Sequence, residues 1–497
     1  MKKIIFTALI FSLFCSCKEN FLETAPTTAV PSSMAIATLG NAEAAINGIH
    51  RMMYQQWEGD NGGSQDMGGY AGLMIAMDAM GEDLIFPVNQ YYANGVYRWT
   101  VHRNVNALWD FYPYDFMYQV INNSNVVING VDSVQGEQKE KDRVKAEALT
   151  YRAWAHFFLV QLYGKRYVSG TINDQLGVPL MTVATTKASF PQPRATVEAV
   201  YTQVNQDLDN AITLFAGTSP RDNKSHFDVN VATGIKARVL LNQGKWAEAA
   251  AAAATARAGY SLMSNQEYLE GFNSAKNPEW MWGSIMATDQ TIYYYSYFAF
   301  MSYNFNATAV RSCPKCINSL LYAKISDTDV RKGIWHPKET TLKEIVLPTT
   351  SFKRYNYMNT KFAVVDYSSS VGDVVMMRAA EMYLIEAEGF ARAGQDAKAQ
   401  DALYTLAVSR DPSYVKSTKT GQALIDEILT QRRVELWGEG FRFLDLKRLN
   451  LPLDRSGANH VSALMNVTTI PVGDKMWQWL IPQKELDTNP LIQQNEL

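Results

Sequence analysis

Apolar positions recur every three or four residues over most of this chain, in two stretches separated by an irregular middle. Ala44, Ala45, Ile46, Ile49 and Met53 share one face of a helix predicted over about 41–56. A second helix is expected over 103–130, with Leu108, Phe111, Tyr118, Val120, Ile121, Val127 and Ile128 as its apolar face. Stronger patterns run over 141–164 and 196–215. Pro191 and Pro193 break the chain before the latter, Thr196 is placed to cap it, and Glu198 sits near its positive end. Helices over 229–243 and 245–259 are divided only by Gly244. The pattern resumes over 373–393, 396–409, 421–437 and 440–449. Residues 57–100 are mixed: Met74, Met77 and Met80 keep a three-residue spacing amid Gly, Asn and Pro. Residues 262–372, rich in Tyr, Asn, Ser, Thr and Pro, read as loops with short strands, and the tail from 450 is again irregular.

A weak repeat links two turns. GKWAEAAAA from Gly244 and GQDAKAQDA from Gly394 share Gly, then Ala at offsets three, five and eight. Glycine stops one helix and small alanines let the next approach closely, as in tetratricopeptide units. Pairing helices in order gives four candidate units: 41–56 with 103–130, 141–164 with 196–215, 229–243 with 245–259, and 373–393 with 396–409. The fold class expected is mainly α.

The first residues are of another kind. Lys2 and Lys3 precede an apolar run from Ile4 to Phe14, and Ser16 precedes Cys17. That order predicts a signal peptide over 1–16 and acylation of Cys17, with 17–40 as an extended leader. Cys15 is the rival acceptor, but Phe14 before it is too bulky for a cleavage site that wants a small residue.

The chain has 497 residues, 47% hydrophobic and 19% charged, with a net charge of −3. This is ordinary globular composition with no basic block to favour nucleic acid. After residue 14 no apolar run approaches the ~20 residues of a membrane span. Besides the two leader cysteines, Cys313 and Cys316 form a lone C-P-K-C, either a local disulfide or a free buried pair. A zinc site would need more ligands than these with His336, and the six histidines have no ligand spacing. No nucleophile elbow, H-E-x-x-H, Walker A or dinucleotide motif occurs. Asp78 with Glu82 or Asp83 is the best local carboxylate pair, read as a turn or cap cluster. No enzyme, cofactor or metal is expected, and no D-x-[DN]-x-[DN]-G calcium loop is present.

Six motifs in order carry a family resemblance. They are Ser16-Cys17 with Phe21-Leu22-Glu23; Asp78 to Asp83; Glu147-Ala148 with Arg152-Ala153; RAAEMYLIEAE at 378–388; RRVELWGEGFRFLDLKR at 432–448; and Ile481-Pro482 with the ending Asn489 to Asn495. In these the chain resembles SusD/RagB-type outer-membrane nutrient-binding lipoproteins of Bacteroidetes, over essentially its whole length. The resemblance implies a SusD-like helical scaffold with four tetratricopeptide-like pairs, about 41–260 and 373–449. A loop-rich part, about 262–372 and 450–497, completes a single SusD-like domain over 41–497. It also implies a lipid-anchored, cell-surface protein that binds glycan and serves a SusC-like TonB-dependent transporter. A peptide-binding RagB-like protein is the alternative, and a lid with little affinity of its own is a third. The charged residues Arg378, Glu381, Glu386, Glu388, Glu435, Glu439, Arg442, Asp445 and Arg448 are read as a structural network.

Aromatics make up 12% of the chain. Sugar rings stack their C–H faces on flat aromatics while amides take the hydroxyls, so aromatics in polar loops are the candidate ligand residues. Trp57 with Glu58, Asp60 and Asn61 forms one such stretch. Two others match loops that glycan-binding family members use: Tyr91, Tyr92, Asn94 and Trp99, and Trp282 with Tyr293, Tyr295 and Tyr297. Asn304 and Asn306 lie just beyond the last.

Overall fold

The computed structural model describes residues 36–59, 62–89, 92–186 and 189–497. The signal, Cys17 and most of the leader lie outside the described residues.

The main helices are α1 (Leu39–Met52), α2 (Gly69–Ala79), α3 (Leu108–Gly130), α4 (Gln138–Tyr163), α5 (Val197–Phe215), α6 (Val229–Gln243), α7 (Trp246–Ala256), α8 (Ala379–Arg392), α9 (Asp396–Arg410), α10 (Gly421–Glu435) and α11 (Arg442–Leu449). Each packs on the next from α3 through α9, with α1 against α3 and α4, and α10 against α8. All four predicted helix pairs are in contact. Thr196 caps α5, its side chain accepting from Ala199 N at 3.1 Å. Val200, Val204, Leu208, Ala211 and Phe215 then form the buried stripe of α5.

The two glycine turns share one geometry. Gly244 and Gly394 both adopt φ 72°. At the first, Gly244 N donates to Leu241 O at 3.2 Å and Lys245 N to Leu240 O at 2.9 Å. At the second, Gly394 N donates to Ala391 O at 3.1 Å and Gln395 N to Phe390 O at 2.8 Å. Both are Schellman stops, so the repeat in the sequence is a repeat in the backbone. Between the units, α7 and α8 approach so closely that a Cβ on Gly389 would stand 2.5 Å from Trp246 O.

Two expectations are corrected. Residues 374–378 form a strand, not the start of a helix. With β1 (Leu84–Ile85), β2 (Leu176–Pro179), β3 (Arg194–Thr196), β4 (Trp280–Ser284), β5 (Cys316–Ile317), β6 (Trp335–His336) and β7 (Met358–Asn359) before it, this strand is β8 (Val374–Arg378). It pairs antiparallel with β4, and all five of its residues are buried. The β-branched Val374 and Val375 suit that pleated setting. The second correction is α2, in the stretch read as mixed. Every residue of α2 is buried, so it has no polar face to give it a period.

Three strands of the irregular part join β1 in an antiparallel four-stranded sheet in the order β1-β5-β7-β6. Cys313 and Cys316 are buried free thiols, which decides between the two alternatives for that pair.

Candidate functional site

The tyrosine run divides into an outward and an inward half. Tyr293 and Tyr294 are 55% and 48% exposed, whereas Tyr297 is 3% exposed. The backbone explains the division. Residues 293–295 form a 3-10 turn, with Tyr293 at φ 45° in the left-handed region. The half-buried Tyr295 turns its carbonyl toward Gly68, where a Cβ would stand 2.0 Å from that oxygen. Ser296 Oγ then accepts from Ala299 N at 3.1 Å. The Tyr297 hydroxyl donates to Gly438 O at 2.5 Å, anchoring the run to the turn between α10 and α11.

Polar neighbours gather beside the exposed rings. Tyr294 packs on Phe305 with centroids 6.0 Å apart. Asn306 N donates to Tyr367 O at 2.8 Å, and Arg311 donates to Asn306 Oδ1 at 2.8 Å. Tyr367 is 45% exposed. Asn304 forms a two-way amide pair with Val364, at 2.8 and 2.9 Å, joining the two loops. The result is a surface strip of Tyr293, Tyr294 and Tyr367 with Asn306 and Arg311 alongside. Tyr367 escaped the sequence reading because it stands alone before a run of serines.

Of the earlier stretch, Tyr91 lies outside the described residues. Tyr92 is half-buried and meets Phe300 edge-on at 5.7 Å, which brings its loop against the segment following the tyrosine run. Asn94 donates to Asn89 Oδ1 at 2.9 Å. Asp66 holds this loop by accepting from Ala93 N at 2.7 Å and Trp109 Nε1 at 3.0 Å.

Three predicted residues are core and leave the set of surface candidates. Trp99 donates to Met80 O at 2.9 Å and packs among His102, Phe443 and Trp477. Trp282 lies in β4, enclosed by Tyr70, Trp154 and Phe227. Tyr297 is the anchor described above. Trp57, from the remaining stretch, is buried and donates to Asp115 at 2.8 Å.

Clefts of about 550, 400 and 350 Å³ occur elsewhere, lined for example by Arg331 and Glu427, by Asn173 and Trp477, and by Tyr118 and Phe190. None of these contains a residue of the tyrosine strip, whose rings are exposed.

The motif carboxylates are tied up in structure. Asp78 accepts from the backbone of Gly440, Phe441 and Arg442 at 2.9, 3.0 and 3.0 Å, capping α11. Burial pushes its carboxyl up to about 7, and the amides of Arg442 and Gly440 pull the other way. Arg442 Nε reaches Glu82 at 3.0 Å and Arg433 Nε reaches Asp83 at 2.9 Å. The motif at 78–83 and the motif at 432–448 are thus two halves of one clamp. Arg238 grips Glu381 through two bonds at 2.7 and 2.6 Å, and Arg448 grips Glu388 through two at 2.8 Å.

One grouping has ligand character that spacing along the chain did not reveal. His50, Glu147 and His226 converge in a buried cluster. Burial lowers the affinity of His50 for a proton. Burial would raise Glu147, but its contacts with His226 and His50 outweigh it and hold the carboxyl at about 2.

Two family models match the chain. One, described as starch-binding and associating with the outer membrane, matches residues 20–241. The other, described as the SusD family, matches residues 245–497. A SusD-like protein of Bacteroides ovatus is 22% identical over 90% of this chain and 84% of its own length. A SusD-like carbohydrate binding protein from Bacteroides vulgatus has a similar structure, with TM-score 0.78 and 25% identity over 92% of this chain and 97% of that one. A laminarin binding SusD-like protein shares the fold at TM-score 0.69 and 21% identity, covering 92% of this chain and 98% of its own. No helix among the described residues is long and apolar enough to cross a membrane. With matched models spanning both halves, helix pairs in the expected order and the motif acids clamped to the motif arginines, the chain belongs to the SusD family.

Proposed function

We propose that this protein captures oligo- or polysaccharide at the cell surface and delivers it to a SusC-like TonB-dependent transporter, held to the outer membrane by a lipid on Cys17. The observation that carries the reading is the strip of exposed rings, Tyr293, Tyr294 and Tyr367, beside Asn306 and Arg311. Flat rings for C–H faces and amide or guanidinium donors for hydroxyls are what a saccharide needs. Tyr92, Asn94 and Tyr295 are the secondary contacts of this reading, and Tyr91 is added to them from the sequence alone. The carbohydrate-binding and laminarin-binding names of similar structures support glycan over peptide. Binding rather than catalysis is supported by the carboxylate clusters, whose members are buried and paired with arginines or amides.

The test is isothermal titration against starch oligosaccharides, laminarin and a peptide digest. Each aromatic contact contributes about 0.5–1.5 kcal/mol. Tyr293→Ala or Tyr294→Ala should therefore weaken glycan binding roughly twofold to tenfold, and the pair should weaken it further. Unchanged glycan affinity in the double variant would reject the platform. Affinity for the digest alone would favour the peptide reading.

A further inference from the structure

We propose that His50, Glu147 and His226 form a divalent transition-metal site, with zinc as its natural probe. The three residues come from distant parts of the chain: the last turn of α1, the middle of α4, and the loop before α6. His50 Nε2 stands 3.1 Å from His226 Nδ1. Glu147 Oε2 stands 3.0 Å from His226 Nδ1 and 3.5 Å from His50 Nε2. With metal–ligand bonds of about 2.0–2.1 Å, a tetrahedral site has ligand–ligand edges of roughly 3.3 Å. The three atoms already form one face of such a tetrahedron.

Proton accounting points the same way. His50 Nδ1 lies 2.5 Å from the Tyr151 hydroxyl. With the His50 proton on that nitrogen, Nε2 offers a lone pair to the centre of the cluster. His226 Nδ1 can then supply one proton at most, shared between His50 Nε2 and Glu147 Oε2. A cation satisfies all three lone pairs together. The surroundings have the outer contacts that orient metal ligands. Tyr151 fixes the His50 ring, while Arg143 at 3.1 Å and Phe227 N at 3.2 Å fix the Glu147 carboxylate.

Charge also favours a cation. Arg143 pairs with Glu43, Glu140 and Glu147, so one guanidinium faces three carboxylates. His50 lies at the C-terminal end of α1, where the helix dipole favours positive charge. His50 and His226 each remain 7% exposed. Three protein ligands leave the fourth position to water, and the bound ion would tie α1 to α4 and to the loop before α6.

The experiment uses full-length protein without a histidine tag, stripped with chelator, re-dialysed against zinc and assayed for metal content and zinc-edge X-ray absorption. One equivalent is expected, with two nitrogen ligands at about 2.0–2.1 Å. Zinc at 100 times its Kd should also raise the melting temperature, since it adds about 2.7 kcal/mol to stability. His50→Ala and Glu147→Gln should each lose the stoichiometric zinc, and His336→Ala should keep it. Circular dichroism checks that each variant is folded, and if His50→Ala is not, His226→Gln replaces it. No stoichiometric zinc in the folded parent would overturn the proposal. So would zinc retained in full by folded variants of the three ligands.

Discussion

Replacing Arg378 with methionine removes one cation from a balanced and sealed cluster. Arg378, at the end of β8, donates to Glu439 at 2.8 and 2.7 Å, to Glu279 at 2.7 Å, to Glu435 Oε1 at 2.6 Å and to Glu435 O at 2.7 Å. Arg331, Arg378, Arg410 and Lys361 together face Asp329, Glu279, Glu435 and Glu439, four charges of each sign. Burial alone would raise Glu439, but Arg378 and Lys361 hold it below the ordinary carboxylate range. Methionine matches the arginine stem in bulk but leaves three cations against four buried carboxylates. Breaking a buried pair in this way costs about 3–5 kcal/mol.

In domains of 150–250 residues each kcal/mol moves the melting temperature by about 2–4 °C, and by less in a longer chain. The expected drop is therefore about 5–10 °C by calorimetry or circular dichroism. Glu439→Gln in the same chain restores the charge balance, so the double variant should lose less than the sum of the two singles. Glycan affinity, measured well below the melting range, should not change. A melting temperature within about 1 °C of the parent, or strictly additive losses, would refute the balanced-cluster argument.

Three further outcomes follow from the same geometry. Gly389→Ala should destabilise by about 1–3 kcal/mol through the α7–α8 contact, whereas Gly48→Ala, which meets nothing within 4 Å in α1, should stabilise by about 0.5–1 kcal/mol; urea midpoints that move alike would contradict the close-approach reading. Trp99→Ala should cost about 3–5 kcal/mol of stability and leave glycan affinity intact, and a selective loss of binding would return Trp99 to the site. Burial raises Asp445, but Arg432 and Arg448 overcome that and hold it at about 2, so its stabilisation is present above the unfolded value near 3.8 and disappears as pH falls toward 2; this contributes about 2 kcal/mol, and Asp445→Asn should flatten the stability profile between pH 4 and 2 in acid titrations followed by circular dichroism.

What could be read from the sequence depended on how each element meets water. The predicted boundaries of α5 and α6 agree closely with the observed ones, because α5 has one apolar stripe and a capping Thr196, and Gly244 closes α6. The buried α2 carries no contrast between faces and was missed. Val374 to Arg378 merged with the pattern of α8, since a short buried strand running into a helix has no period of its own. Among the aromatics, residue type could not separate platform from core. Tyr293 and Tyr297 are four residues apart in one tyrosine-rich run, and the left-handed turn at Tyr293 together with the Tyr297 bond to Gly438 separates the outward ring from the buried one. His50 and His226 are 176 positions apart, a distance at which spacing rules say nothing.

The platform and the charge cluster are joined through one turn. Gly438 adopts φ 82° between α10 and α11, and a Cβ there would stand 2.5 Å from the Phe362 ring. Its carbonyl accepts from the Tyr297 hydroxyl, while Glu435 and Glu439, which flank it in sequence, bind Arg378 and Lys361. Lys361 precedes Phe362, which packs edge-on against Tyr297 at 5.2 Å. The exposed tyrosines therefore rest on backbone already fixed by buried charge. A segment held in this way loses little conformational freedom when a ligand stacks on its rings, which favours the binding proposed for them. The motif charges thus reach the tyrosine run through the turn they hold in place.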